Sequence, residues 1–203
     1  MNENENPNIS SPVSAEVVAK KEKSLWRELI EFALIAVLIV VPFRIFIAQP
    51  YIVNGASMSP TFETGNYLIV DQLSYRFTTP ARGSVIIFKY PLNTSWYFIK
   101  RVIGFPGETV NIKNGAVTIT KVDGTTIALN EPYIKFPKIE NYNKTLGSAE
   151  YFVMGDNRIG SADSRMWGPL PASDIIGRPV LRLFPLTQIG ILPGDETGVI
   201  TSK

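Results

Sequence analysis

Among the residues able to do chemistry, Ser57 and Lys100 stand in the most telling settings. Ser57 lies within Asn54-Gly55-Ala56-Ser57-Met58-Ser59-Pro60-Thr61-Phe62, where Gly55 and Ala56 put little bulk beside the hydroxyl and Pro60 fixes a bend. Taken alone the stretch also reads as a surface turn, because Gly, Asn, Ser and Pro are turn residues. The chain contains no histidine and no cysteine. A Ser-His-Asp triad, a His-Glu-x-x-His zinc site, a disulfide, a thiol nucleophile and a thiolate metal site are all excluded. A serine nucleophile in this chain needs Lys, Asp or Glu as its base, and a lysine of depressed pKa is the established alternative to imidazole.

Lys100 sits in Trp96-Tyr97-Phe98-Ile99-Lys100-Arg101-Val102-Ile103. Strand alternation puts Trp96, Phe98, Lys100 and Val102 on one face and Tyr97, Ile99, Arg101 and Ile103 on the other, so each face is apolar apart from one cation. Burial of such a lysine disfavours the ammonium and makes a neutral amine available near neutral pH. The competing reading is an edge-strand lysine that discourages aggregation. A third stretch, Gly155 to Met166, holds Asp156, Asn157, Arg158, Ser161, Asp163, Ser164 and Arg165 directly after an apolar strand. It reads as a loop ordered by its own salt bridges, and ordered polar loops often build sites. No phosphate-cradling glycine loop and no carboxylate cluster with metal-ligand spacing is present, so no cofactor or metal is expected. The net charge of +2 is too small to suggest nucleic acid.

The elements that must position these residues fall into two kinds. From Leu29 to Ala48 runs LIEFALIAVLIVVPFRIFIA, 20 residues that as a helix span about 30 Å, the thickness of a bilayer's hydrocarbon core. Glu31 and Arg44 can snorkel to their nearer interfaces, while Pro42 would kink the helix. A cleaved signal peptide is the rival, but the polar leader is too long and no clear small-x-small cleavage site follows. Lys20, Lys21, Lys23 and Arg27 precede the span, and no Lys or Arg occurs from Gln49 until Arg76. The positive-inside rule therefore puts the N-terminus in the cytoplasm and everything after Ala48 outside, with Trp26 and Tyr51 as interfacial anchors. The expected location is the cell membrane, as a single-pass protein. Ser57 follows Ala48 by nine residues, at most about 30 Å of extended chain, so its chemistry lies near the outer face of the bilayer.

Beyond the span the periodicity is that of strands: 67–73, 84–90, 96–103, 109–113, 116–122, 125–129, 150–154 and 175–184. Asn114-Gly115 and Asp123-Gly124 are two-residue hairpin signals, so the strands around them form an antiparallel meander. Residues 135–148 are polar and irregular, and those after Pro185 carry too few apolar side chains to join the core. The expected class is mostly β, with one N-terminal transmembrane helix. The expected organisation is a disordered cytoplasmic tail at 1–28, an anchor at 29–48, a β core from 49–104 and 150–184, a small inserted β subdomain at 105–149, and a C-terminal tail at 185–203.

Three stretches together carry a resemblance. Gly55-Ala56-Ser57-Met58-Ser59-Pro60-Thr61 after the apolar run, Phe98 to Gly104 with Pro106-Gly107-Glu108, and Gly155-Asp156-Asn157-Arg158 with Ser161-Ala162-Asp163-Ser164-Arg165 and Trp167-Gly168 closely resemble the bacterial type I signal peptidases. Arg82 to Phe88 looks like a further block of that family, and the likeness runs from about Leu29 to Leu183. These are membrane-bound serine endopeptidases with a Ser/Lys dyad that release exported proteins by cutting after the signal peptide. The resemblance makes Ser57 the nucleophile and Lys100 its general base, with Ser161 hydrogen-bonding and aiming the Lys100 amine. Asp163 and Arg165 look like the family's structural ion pair, Asp156 is placed to pair with Arg101, and Gly155 lets the backbone pass close to the lysine. Met58 and Asn157 lie in the matched motifs as supporting residues. The Ser57 N–H gives one oxyanion donor. Where some members place a serine hydroxyl as the second, this chain has Gly55, whose N–H must then serve or the site forgoes a donor worth about 3 kcal/mol.

Two departures concern loop detail: Ile159-Gly160 replaces a polar pair, and Ser84 stands where an aspartate is frequent. The expected partners are preprotein signal peptides, with small residues at the first and third positions before the cut, and the lipid bilayer. No nucleic acid is expected, and the chain is expected to be a monomer. Two other readings compete: a self-cleaving repressor-type protein, against which the anchor in place of a DNA-binding domain speaks, and a membrane-anchored β module that only binds.

Overall fold

A computed structural model of the chain describes residues 25–46 and 48–196, the side chains of 42–48 excepted. Of the tail expected over 1–28, residues 1–24 lie outside the described residues, as do 197–203 of the C-terminal tail, while 25–28 belong to the first helix. The chain divides into two compact units, one ending at Ile39 and one beginning at Val40.

Helix α1, Leu25–Phe46, covers most of the apolar run. Its described side chains stand exposed: Trp26, Phe32 and Leu38 are 70% exposed or more. Among the described residues no helix is long and apolar enough to cross a membrane. The crossing expected over 29–48 runs past the described side chains, and Pro42 and Arg44 are among those outside them.

The second unit is mostly β. Its strands are β1 (Ala48–Ile52), β2 (Tyr67–Asp71), β3 (Val85–Tyr90), β4 (Asn93–Gly104), β5 (Thr109–Lys113), β6 (Ala116–Thr120), β7 (Thr126–Ala128), β8 (Tyr142–Thr145), β9 (Glu150–Met154), β10 (Leu170–Pro171), β11 (Ile175–Phe184) and β12 (Gly190–Ile191), with one helical turn, α2, at Ser164–Trp167. The larger sheet has the order β1-β2-β11-β3-β4-β9-β10, with β12 on β11, and the smaller the order β7-β6-β5-β8. Every pairing is antiparallel.

Alternation explains both sheets. In β5 and β6, Val110, Ile112, Val117 and Ile119 point inward and pack with Ile103, Phe152 and Met154 of the larger sheet. The intervening positions are Asn, Thr and Lys facing water, as a one-sided antiparallel sheet requires. On the larger sheet Ile86, Phe88, Val102 and Val153 make a second cluster, and Val53, Met58, Phe62, Leu68 and Val85 a third.

The structure departs from expectation in four respects, the first being two short unexpected strands: β10, which pairs β9, and β12, which lies within the expected C-terminal tail and pairs β11. Strand β1 begins at Ala48, the last residue of the expected span, and continues through 49–52, where no strand was expected; it occupies the sheet edge, where Pro50 is tolerated. Strand β8 lies inside the stretch expected to be irregular; Tyr142-Asn143-Lys144-Thr145 is a solvent-facing edge strand with little apolar signal. Asn114-Gly115 does form a two-residue turn with positive φ at both positions, but Asp123-Gly124 does not. There β6 ends at Thr120, and Lys121 N–H donates to Thr125 O at 2.8 Å to close a longer loop.

Candidate active site

The nucleophile loop links β1 to β2. Val53 N–H donates to Asn66 O at 2.9 Å and Gly65 N–H to Val53 O at 2.9 Å, drawing the ends of the loop together. Met58 and Phe62 are buried in the third core cluster, so the loop is pinned from below on both sides of Pro60. Ser57, between exposed Ala56 and buried Met58, is left half-buried at the rim. Ser59, the rival hydroxyl, donates to Glu63 at 2.6 Å.

Lys100 arrives from the middle of β4, where Ile86 of β3 pairs with it. Nζ lies 2.7 Å from Ser57 Oγ and 2.9 Å from Ile99 O, and 5.2 Å from the centre of the Phe98 ring. The side chain is 4% exposed. Loss of water lowers the amine's pKa to about 8, with Asp163 and Asp156 opposing that fall from a distance. As an ammonium, Lys100 donates to Ser57; once neutral, the same contact lets the amine accept the hydroxyl proton. The pair borders a cleft of about 330 Å³ lined largely by apolar side chains of β1, β3 and β4.

Opposite stands the loop after β9. Asn157 N–H donates to Ser57 O at 3.1 Å, and Asn157 Nδ2 donates to Ala56 O at 3.1 Å. Gly155 is forced to be glycine by close approach: a Cβ there would stand 2.4 Å from Ser57 O and 2.3 Å from Ser161 Oγ. The backbone it comes near is thus that of Ser57. Its N–H donates to Asp163 Oδ2 at 3.0 Å. Arg165 grips Asp163 from both nitrogens at 2.7 Å. Burial raises the Asp163 carboxyl's pKa, yet the hydrogen bonds and charge of Arg165 outweigh it and hold the group below its ordinary value. On the other face of β4, Arg101 donates to both oxygens of Asp156 at 2.8 and 2.6 Å, and both side chains are 0% exposed. Arg101 Nη1 also donates to Gly83 O and Gly194 O, each at 2.6 Å. Gly194, beyond β12, packs closely on Thr61 and Phe62 of the nucleophile loop.

Two expected contacts are replaced by others. The Ser161 hydroxyl is buried against Gly155 and makes no hydrogen bond to Lys100. Lys100 instead uses the carbonyl of its own neighbour, Ile99. The Gly55 N–H donates to Thr64 Oγ1 at 3.0 Å, and the same hydroxyl returns a bond to Gly55 O at 3.2 Å. Thr64 therefore holds the position expected to supply the second oxyanion donor.

Several contacts around the site left no mark in the sequence. Arg158 donates Nε–H to Gly155 O at 3.0 Å and pairs with Glu131 at 2.5 Å. Arg165 also pairs with Glu140, and its Nη2 donates to Arg158 O at 2.9 Å. Thr61 donates to Asp156 at 2.5 Å. These partners lie up to 95 positions apart, so no local spacing announces them. A hint does exist in Glu131 and Glu140, the two carboxylates at the ends of the segment Asn130 to Glu140.

A serine and a lysine in contact, with no imidazole in the chain, form the arrangement that a hydrolase of the Ser/Lys kind would need. The family described as signal peptidase, peptidase S26, matches residues 26–184. A probable signal peptidase I-1 from Synechocystis sp. is 39% identical over 82% of this chain and 86% of its own length. A probable signal peptidase I-2 from the same organism is 34% identical over 92% of this chain and 88% of its own. The signal peptidase I of Bacillus caldolyticus is 36% identical over 76% and 89%. The chain belongs to the signal peptidase family and is an enzyme of its signal peptidase I kind.

Proposed function

We propose that this chain is a membrane-anchored endopeptidase that cuts signal peptides from exported preproteins, with Ser57 as nucleophile and Lys100 as general base. The observation that carries the reading is the 2.7 Å contact between Lys100 Nζ and Ser57 Oγ in a setting that lowers the amine's pKa to about 8. Neutral Lys100 takes the Ser57 proton while Oγ bonds to the scissile carbonyl carbon. The resulting oxyanion faces the Ser57 N–H, which no acceptor meets among the described residues. Lys100 then returns the proton to the departing amine as the C–N bond breaks, leaving an acyl-enzyme. Water attacks the ester, gives its proton to Lys100, and the same proton restores the Ser57 hydroxyl as the peptide acid leaves. Gly55 joins the oxyanion site only by exchanging its bond to Thr64.

The shallow cleft beside the pair suits small residues at the first and third positions before the cut, which it selects by excluding larger ones. The anchor rests on α1, whose Leu29, Ile30, Phe32, Leu34, Val37 and Leu38 are all exposed and costly to hydrate. The basic cluster ahead of it orients the N-terminus to the cytoplasm.

The test is cleavage of a preprotein in detergent or lipid by wild type, Ser57→Ala and Lys100→Ala. Both variants are expected to lose at least about 1,000-fold in kcat. Near-wild-type turnover in either removes that residue from its role.

A further inference from the structure

The segment between β7 and β8 has no strand partner over most of its length, yet it sends two carboxylates into the far side of the catalytic loop. Glu131 is the more telling of the two. Its side chain is 8% exposed and that of its partner Arg158 is 3% exposed. Arg158 Nη2 donates to Glu131 Oε1 at 2.5 Å and Nη1 to Oε2 at 3.3 Å, so the carboxylate holds both ends of the guanidinium fork. The Tyr133 hydroxyl donates to the same Oε1 at 2.8 Å. Burial first, and Glu131 second, keep the Tyr133 phenol above its ordinary pKa, so it stays a donor.

A fork held in this way leaves the Arg158 Nε–H with one direction, and it points at Gly155 O, 3.0 Å away. Gly155 in turn lies so close to Ser57 O that no side chain fits between them. Its neighbour Asn157 binds the carbonyls of Ala56 and Ser57. The segment meets this loop again where Phe136 bridges Asn157. The route is therefore continuous: Glu131 to Arg158, Arg158 to Gly155, Gly155 and Asn157 to the Ser57 backbone.

We infer that Glu131 is a positioning residue for the peptidase reaction: through Arg158 and Gly155 it fixes the backbone of Ser57 at the distance from Lys100 that proton transfer needs. This rests on the Ser57 and Lys100 reading above. Glu131 touches neither substrate nor the reacting atoms. Its influence is on the few tenths of an ångström that decide whether Oγ and Nζ share a proton, and a misplacement of about 1 Å costs on the order of 100-fold. Truncation of the segment to a plain hairpin would leave the nucleophile and base in the chain but their spacing unheld.

The experiment uses the full chain in detergent with a signal-peptide substrate. Glu131→Gln keeps the shape and removes the charge; it is expected to lower kcat about 10- to 100-fold with KM nearly unchanged. In an Arg158→Met background the same substitution is expected to add little further loss, because both act along one route. Wild-type kcat in a Glu131→Gln protein that merely melts at lower temperature overturns the inference, as does a loss confined to KM. A full second loss in the Arg158→Met background overturns the route. If Glu131→Gln does not fold, Glu131→Asp, which keeps the charge and shortens the reach, is read by the same criteria. Ser57→Ala is measured alongside. Activity retained there overturns the parent reading, whereas a dead Ser57→Ala beside a normal Glu131→Gln overturns this inference alone.

Discussion

The burial that strips water from the Lys100 amine also sets the pH at which it can act as a base. Its pKa of about 8 lies well below the 10.5 of a free lysine, so the neutral form gains population as pH rises through about 8. Below that point one proton must leave before each turnover. kcat/KM of the free enzyme is therefore expected to fall about tenfold per pH unit on acidification, with an acid limb near 8. A pH–rate profile with its limb near an ordinary carboxylate value would show that a different group is the base. The same residue illustrates what a sequence can carry. The absence of histidine and the apolar flanks of Lys100 made a desolvated amine one reading of the sequence, beside that of an edge-strand lysine. That Ile99 O, and not Ser161, receives its second hydrogen bond depends on backbone direction within β4, which side-chain types do not encode.

Among the elements, the strands with an alternating buried face were legible almost to the residue: 109–113, 150–154 and 175–184 coincide with β5, β9 and β11. The four strands not expected, β1, β8, β10 and β12, each pair with a single neighbour, where one side of the ladder is open and the apolar pattern is weak. The hairpins divide in the same physical way. Asn114-Gly115 connects strands in direct register, whereas Asp123 spends its side chain on Thr125 N–H at 2.8 Å, and the loop lengthens to accommodate that bond. Gly115 has a second constraint, since a Cβ there would stand 2.6 Å from Lys138 O. Gly115→Ala is expected to destabilise the fold by more than about 1 kcal/mol, from both the contact and the positive φ. Urea unfolding measures it, and an unchanged midpoint would show that the turn relaxes freely. Of the ion pairs that fasten the catalytic loop, Asp163–Arg165 and Asp156–Arg101 were expected from the resemblance, whereas Arg158–Glu131 and Arg165–Glu140 were not, because each of the latter joins the loop to the distant segment between β7 and β8.

For the molecule as a whole, the proposed reading gives the apolar run of α1 and the β unit separate duties, attachment and chemistry. Deleting residues 1–47 is expected to move the protein from the membrane to the soluble fraction while leaving the described β unit able to fold, since its three clusters draw nothing from α1. Fractionation checks the first outcome and circular dichroism the second; a deletion product that stays with the membrane would show that the β unit binds lipid by itself.

The carbonyl of Gly194 lies beyond the last strand, yet it completes the set of acceptors around Arg101, the cation that neutralises Asp156 beneath the nucleophile loop. Order of arrival follows from this. A nascent chain that has emerged as far as Ile191 already holds the nucleophile, the base and every strand, but not that acceptor. The acceptor set around Arg101 is therefore complete only once the chain has emerged past Gly194.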